Sequence, residues 1–328
     1  MSSQFTQVCI AGAGAIGCTL AARLAKTGLT PNILARGETL ANLNARGVML
    51  EDLEGQHQVN VNASDDPNQL GVQQLIFICT KAHAIAGILA TMQPMIDENT
   101  IVIPLVNGVP WWYFHGINDG CEHPPLNCVD PNAEIDSYIQ PSQVIGAVTF
   151  MTAHVVAPGQ VKSTNPHLLT FGELDNRMSE RLEKVRQLVA DAGIEARASD
   201  SIRDPLWTKI IANITSNPLS IVTQATLKQI YSSPELAPLT RKVLDEALLV
   251  AAAYGARVPF NPPLFMQMGA EMGDFKTSML QDYEAGRPPE LATIVDAVIE
   301  LAERVGIDMP NTQHVAALAH FAAKKMLS

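Results

Sequence analysis

No run of apolar residues in the chain reaches the ~18–20 needed to span a bilayer as a helix. The N-terminus, MSSQFTQVCIAGAG, has no basic stretch ahead of its apolar residues and runs directly into a glycine motif. It therefore reads as lacking a signal peptide, and the chain as cytoplasmic. Cations are the scarcer charge: 22 Lys and Arg against 33 Asp and Glu leave a formal net charge of -11. A general nucleic-acid binder needs a basic surface to neutralise phosphates, so that class is excluded. A few cations focused in a cleft still bind an anionic substrate. Cysteine is sparse and odd in number, five residues at 9, 18, 79, 121 and 128, with no CxxC. Three of them fall in or beside expected strands and helices and read as reduced core residues. Cys121, His123 and Cys128 share one loop, but their spacing fits no common zinc pattern and a fourth ligand is missing, so no metal is expected. Internal repeats and low-complexity segments are also absent.

What is present is a chain of 328 residues, 47% hydrophobic and 17% charged, a length suited to two globular domains. The first half alternates short apolar strands (8–11, 32–35, 75–79, 101–104) with helical patterns (15–26, 40–46, 83–95). Such alternation implies a mostly parallel sheet covered by helices. Residues 116–142 are rich in Gly, Pro, Asn, Asp and Cys and read as a long excursion. Strand patterns return at 144–151, 160–163 and 168–171, followed by a helix at 178–192 and a strand at 195–198. Beyond Asp200 helical patterns dominate, at 204–216, 237–254, 291–305 and 313–326, with breaks expected at Asn217-Pro218, Gly255, 259–263, 287–289 and 309–310. The expected fold class is α/β: an N-terminal Rossmann-type dinucleotide-binding domain over 1–200, followed by an all-helical C-terminal domain over 201–328. The apolar helices at 237–254 and 313–326 can pack within one chain or across a homodimer.

Gly12-Ala13-Gly14-Ala15-Ile16-Gly17 is a G-x-G-x-x-G string that follows an apolar strand and opens an Ala/Leu helix. Gly12 permits the tight turn, Gly14 lets backbone approach a pyrophosphate, and Gly17 lets helix pack on strand. The free N–H groups and dipole of the helix start favour an anion. At the end of the second strand an NAD site usually carries Asp or Glu for the ribose 2′-OH. Here the residue is Arg36, which suits the 2′-phosphate of NADP (NADPH) through charge-assisted hydrogen bonds. Glu38 lies past Gly37, in the first turn of the next helix.

Between Leu206 and Val222, Lys209 is the sole charged residue. Leu206, Trp207, Ile210, Ile211 and Ile214 make an apolar helical stripe, and Lys209, Asn213 and Asn217, spaced i, i+4, i+8, line one edge of it. An ammonium and two amides beside a buried face are costly without partners. Either Lys209 snorkels to water and Asn217 merely ends the helix ahead of Pro218, or Lys209 is a proton donor to a developing alkoxide. Thr80-Lys81-Ala82-His83 and Asn107-Gly108 follow two of the strands, at the end where ligands bind in open α/β sheets. The aromatic cluster Trp111-Trp112-Tyr113-Phe114 reads as packing in a chain with 5% aromatics. Glu290, directly after Pro288-Pro289, suits a first helical turn on structural grounds alone.

Taken together, GAGAIG, TKA after one strand, NG after the next, W-x-K-x-x-x-N-x-x-x-N-P, and SMLQD followed by a Pro-preceded Glu resemble the ketopantoate reductase (2-dehydropantoate 2-reductase) family over essentially the whole chain. The glycine loop is common to many families; the Lys-Asn-Asn helix and the SMLQD segment are far more specific. NGVPWWYFHG resembles a subgroup with a longer loop. The resemblance implies NADPH-dependent reduction of 2-dehydropantoate to (R)-pantoate, on the path to pantothenate and coenzyme A. It implies Lys209 as proton donor, Glu290 as its acidic partner, and Asn213, Asn217 and Ser278 as substrate-binding residues. Asn107 and Lys81 match positions at the cofactor–substrate junction, and Arg36 the 2′-phosphate contact. After the acidic residue the family carries Ile-Asp-Tyr and then Asn-Gly, where this chain has Leu291-Ala292-Thr293-Ile294-Val295-Asp296. A polar patch has become mostly apolar. A paralogous reductase of another 2-keto acid or small ketone is therefore the alternative. A non-catalytic NADP-binding sensor is a third reading, and the presence of both Lys209 and Glu290 counts against it.

Overall fold

The computed structural model describes residues 5–118 and 120–327. Residues 1–4, on which the reading of the N-terminus partly rests, Asp119 of the excursion and Ser328 lie outside them. The chain divides into two compact units. The first runs to Val106 and takes in Trp112–His123 and Ala133–Ile202; the second consists of Asn107–Trp111, Pro124–Asn132 and the chain from Arg203 onward. No helix among the described residues is long and apolar enough to cross a membrane.

In chain order the first unit carries β1 (Val8–Ala11), α1 (Ala15–Ala25), β2 (Asn32–Leu34), α2 (Gly37–Arg46), β3 (Val48–Asp52), β4 (Gly55–Val59), β5 (Asn62–Ser64) and α3 (Pro67–Leu70). There follow β6 (Leu75–Ile78), α4 (Ile85–Thr91), β7 (Ile101–Pro104), β8 (Ile145–Phe150), β9 (Ala153–Ala157), β10 (Gln160–Ser163), β11 (Leu168–Glu173), α5 (Glu180–Asp191) and β12 (Glu195–Ala198). Among the described residues, a parallel sheet forms in the order β5-β2-β1-β6-β7. Its strands β1 (VCIA), β6 (LIFI) and β7 (IVIP) are buried throughout, as strands covered on both faces are. The order reverses at β1, so the loops leaving β1 and β6 flank the switch point where such sheets bind ligands. Two mixed sheets, β4-β3-β10-β9 and β12-β11-β8, complete the unit. Strands β4 and β5 carry no apolar run that announces them: β4 reads GQHQV and is largely exposed, and β5 reads NAS. They form by pairing with neighbours rather than by intrinsic pattern. The helix expected over 83–95 is three pieces: a 3-10 turn at Ala82–Ala84, α4, and, set off from α4 by Pro94, a second 3-10 turn at Gln93–Met95.

Helix α1 is pinned to the second sheet by charge. Arg23, 3% exposed, meets Asp52 of β3 at 2.5 Å and Glu54 at 2.6 Å, while Lys26 meets Glu54 at 2.7 Å. His57 lies 3.1 Å from Asp52. Asp52 is almost wholly enclosed, so its charge depends on these partners.

The second unit carries α6 (Arg203–Thr223), α7 (Leu227–Ser232), α8 (Ala237–Ala253), α9 (Pro262–Glu271), α10 (Ser278–Glu284), a π-helical turn (Ala292–Asp296), α11 (Ala297–Arg304) and α12 (Pro310–Leu327). Helix α6 lies at its centre, packed by α7, α8, α10, α12 and the π turn. The break expected at Asn217-Pro218 does not occur: α6 runs through Pro218 to Thr223. Pro218 costs about 3 kcal/mol in a helix interior. Every residue from Ile214 to Ile221 is buried, and Ile214, Leu219 and Ile221 contribute about 1.5–3 kcal/mol each. Burial wins, and the helix ends only where Gln224 adopts φ 58. The expected helix 291–305 is likewise interrupted by the π turn.

Arg23→Met removes the main partner of an enclosed carboxylate. Loss of about 3 kcal/mol of stability is expected, read as a lower urea midpoint; an unchanged midpoint would show that the pair does not hold α1.

Candidate functional site

The glycine loop leaves buried β1 and enters α1. Gly12 has φ 110, and a Cβ there would lie 2.9 Å from Thr80 Cγ2, so only glycine fits. A Cβ on Gly17 would lie 2.0 Å from the Gly12 carbonyl oxygen and 3.2 Å from Cys79 Cβ, which makes it the close-packing glycine. Gly14 differs. Among the described residues nothing lies within 4 Å of a Cβ built there, and no side chain caps α1. The protein's own packing does not demand glycine at 14; what it preserves is open space above unsatisfied N–H groups. Ala13, Ala15 and Ile16 complete this loop and first turn, which fits a dinucleotide diphosphate. Arg36 is exposed in the N-cap position of α2, with Glu38 in the first turn. Lys81 follows β6 and precedes the 3-10 turn Ala82–Ala84. These residues all belong to the first unit.

In the second unit, Lys209, Asn213 and Asn217 lie along α6. Lys209 and Asn213 are half-buried and Asn217 is buried. Dense surroundings desolvate the Lys209 ammonium and bring its pKa down to about 8, against the pull of the nearby Glu290 carboxylate, which raises it. Asn217 Nδ2 is a buried donor without a hydrogen-bond partner among the described residues. Ser278 is exposed at the start of α10. Its neighbour Thr277 caps that helix by accepting from Leu280 N–H at 3.0 Å, and Thr277 Oγ1 lies 2.6 Å from Ser220 Oγ of α6.

Glu290 stands just ahead of the π turn, its carbonyl accepting the Ile294 N–H at 3.2 Å. A carboxylate at this helix start is favoured by the dipole. Asn107 Nδ2 approaches Glu290 Oε2 within 3.5 Å. The next two residues clamp the turn: Val109 N–H donates to the Thr293 carbonyl at 2.8 Å, and a Cβ on Gly108 (φ 79) would lie 2.2 Å from that oxygen. NG is visible in the sequence as a turn dipeptide, but nothing there signals its partner, Thr293. Part of the excursion is fastened to the same region. Glu300 of α11 accepts from Asn127 N–H at 3.0 Å and Cys128 N–H at 3.3 Å, and Arg304 donates to the Pro124 and Pro125 carbonyls at 2.7 and 2.8 Å.

Other features lie elsewhere. Trp112 and Tyr113 are buried, and a Cβ on Gly146 would lie 2.9 Å from the Trp112 ring. His123 stacks on Phe114 at 4.6 Å, and the Cys128 thiol donates to Glu300. No group of three or more His, Cys, Asp or Glu among the described residues could hold a metal. A cavity of about 520 Å³ in the first unit is lined by His115, Glu173, Arg177 and Arg181 among others, and by none of the cofactor candidates.

Gly108→Ala forces a methyl into the Thr293 carbonyl. The expected outcome is a melting temperature lower by several degrees together with loss of catalytic turnover; a variant as stable and active as the parent would dissolve the clamp.

Both units match family models. Residues 8–111 match "Ketopantoate reductase PanE/ApbA", and residues 201–323 match "Ketopantoate reductase PanE/ApbA C terminal". The chain is 36% identical over 313 residues to a 2-dehydropantoate 2-reductase of Mesorhizobium japonicum, covering 95% of this chain and 96% of that one. A protein of Ralstonia solanacearum MolK2, solved as a candidate ketopantoate reductase, superposes with a TM-score of 0.93 at 33% identity, covering 98% of this chain and 99% of that one. D-mandelate dehydrogenase, solved with NADH and anilino(oxo)acetate, superposes with a TM-score of 0.84 at 19% identity, covering 98% and 99%, a likeness of fold. With the family models spanning a Rossmann-like first unit and a helical second unit, and with such identity over nearly the full length, the chain belongs to the ketopantoate reductase family of dinucleotide-dependent oxidoreductases.

Proposed function

We propose that this protein reduces 2-dehydropantoate to (R)-pantoate with NADPH, Lys209 acting as proton donor. The observation that carries the proposal is the Lys209 ammonium, desolvated to a pKa of about 8 while opposed by the Glu290 charge. A donor near neutrality is protonated at pH 7 and still gives up its proton readily. NADPH, when bound, supplies the hydride. The protein supplies orientation and charge. The Lys209 ammonium stabilises the oxyanion as it develops, more in the transition state than in the ground state. Asn213, Asn217 and Ser278 offer neutral donors to the substrate carboxylate. Glu290, with Asn107 beside it, orients the substrate and sustains the charge on Lys209.

In this reading 1–200 is the NADP-binding domain and 201–328 the substrate domain. The loop Gly12–Gly17 takes the diphosphate, with Lys81 and Asn107 nearer the reacting end of the cofactor. Arg36 is the reason for NADPH rather than NADH, since its exposed guanidinium stands where NAD enzymes place an acid. A second reading, reduction of another 2-keto acid, draws support from Leu291, Ile294 and Val295, which bury an apolar surface directly after Glu290. D-mandelate dehydrogenase, on the same fold, binds the oxo acid anilino(oxo)acetate. Initial rates on ketopantoate beside a panel of 2-keto acids decide between the two.

Reduction should lose rate above about pH 8 as Lys209 deprotonates. Glu290→Gln removes the charge that raises this pKa, so the break moves to lower pH. Lys209→Ala should cut kcat by roughly a hundredfold or more with NADPH affinity unchanged; full activity in that variant rules out the assigned role. Arg36→Ala should narrow the NADPH-over-NADH preference in kcat/KM by about tenfold. An unaltered ratio removes Arg36 from the site.

A further inference from the structure

Glu290 is reached from α10 through residues 285–289, a stretch that packing does little to order. Every residue from Glu284 to Pro288 is exposed. Hydrogen bonds to the end of α10 order it instead. The Gly286 N–H donates to the Tyr283 carbonyl at 3.0 Å, and the Arg287 N–H to the Asp282 carbonyl at 2.8 Å. Gly286 has φ 66. Together these make the helix stop in which a left-handed glycine lets two successive N–H groups turn back onto the last free carbonyls.

In such a stop the residue after the glycine often makes an apolar contact with the residue whose carbonyl it caps. Here those two positions carry opposite charges. Arg287 Nε donates to Asp282 Oδ1 at 2.9 Å. The Arg287 side chain is largely exposed, but Asp282 is 7% exposed. Its helix is firmly seated: Met279 and Leu280 are buried, Thr277 bonds Ser220 of α6, and α10 packs against α6. A carboxylate costs more to enclose than an apolar side chain. What it adds is direction, because a charge-assisted hydrogen bond fixes an angle that an apolar contact leaves loose.

That direction is passed on with little slack. Pro288 and Pro289 each have φ fixed near about −65°, so the chain from Arg287 to Glu290 is stiff. On the far side Leu291 is buried and the Glu290 carbonyl accepts the Ile294 N–H. The acid is thus held from both directions.

We infer that Asp282 and Arg287 are positioning residues for the reduction: their ion pair fixes the loop that delivers Glu290, and so ties the acid to the helix packed on α6, which bears Lys209. The inference rests on the proposed function, in which Glu290 sustains the charge on Lys209.

The test follows kcat and the alkaline break in kcat/KM for ketopantoate reduction. Arg287→Ala changes an exposed side chain, and its melting temperature checks that it folds. It should lower kcat about fivefold and move the break to lower pH by about half the movement that Glu290→Gln produces. The direction discriminates. Direct loss of a cation would raise the proton affinity of Lys209 and move the break upward; a loosened Glu290 moves it downward. In the Glu290→Gln background Arg287→Ala should add no further movement. Arg287→Lys, which keeps a cation for Asp282, should recover most of the wild-type rate, and Asp282→Ala should repeat Arg287→Ala. A break that stays in place or rises in Arg287→Ala, while Glu290→Gln lowers it, overturns the inference alone: the pair is then only a helix stop. If Glu290→Gln leaves the break unmoved, or the wild type does not reduce ketopantoate, the proposed function falls and this inference with it.

Discussion

The ammonium of Lys209 must stay charged in surroundings that disfavour charge. Desolvation draws its pKa down to about 8, and the Glu290 carboxylate limits the fall. Much of the second unit is arranged around that demand. The cation stands on α6, the helix about which the others pack. Its neighbours on one side are Trp207, Ile210 and Ile211, all buried. Toward the C-terminus of α6 the polar residues are amides and hydroxyls (Asn213, Thr215, Ser216, Asn217, Ser220 and Thr223), none of which cancels its charge. An exposed lysine would keep its proton too firmly to serve as a donor at neutral pH; an isolated buried one would surrender it before substrate arrived.

Glu290 is held by chain segments far from it in sequence. Asn107 reaches its carboxylate, and Gly108 and Val109 lock onto the Thr293 carbonyl in the following turn. The turn is π-helical, a distortion that tends to mark functional sites because it redirects backbone groups. Helix α11, continuing from it, is in turn gripped by Pro124–Asn132 through Glu300 and Arg304. The excursion is thus a buttress for the helix behind the acid over this stretch. In the first unit the corresponding rigidity comes from the buried Arg23–Asp52 pair and from two glycines that admit no side chain, so that α1 presents its uncapped end in a fixed place.

Legibility in the sequence followed the physics of each feature. Apolar strands 8–11, 75–79 and 101–104 were readable because strands buried on both faces must be continuously hydrophobic. The polar strands β4 and β5 were not, since their order comes from pairing with neighbours. The proline at 218 announced a helix end that burial overrode. Glycine loop, Arg36 and the Lys209-Asn213-Asn217 spacing stood out as patterns, because each lies within a short stretch of chain.

By itself, then, the sequence determined the βα order and the alignment of Lys209 with two asparagines, consequences of local periodicity, and it displayed the short motifs, the glycine loop among them, that carry the family resemblance. The tertiary structure decided what periodicity cannot carry. It set the proton affinity of Lys209, the pairing of Asn107 with Glu290 across 183 positions, and the carbonyl that forbids a side chain at Gly108. Among the described residues it also left the Asn217 amide N–H without a hydrogen-bond partner. Desolvation, close approach and unsatisfied hydrogen bonds arise only when distant segments meet, and no spacing along the chain encodes them.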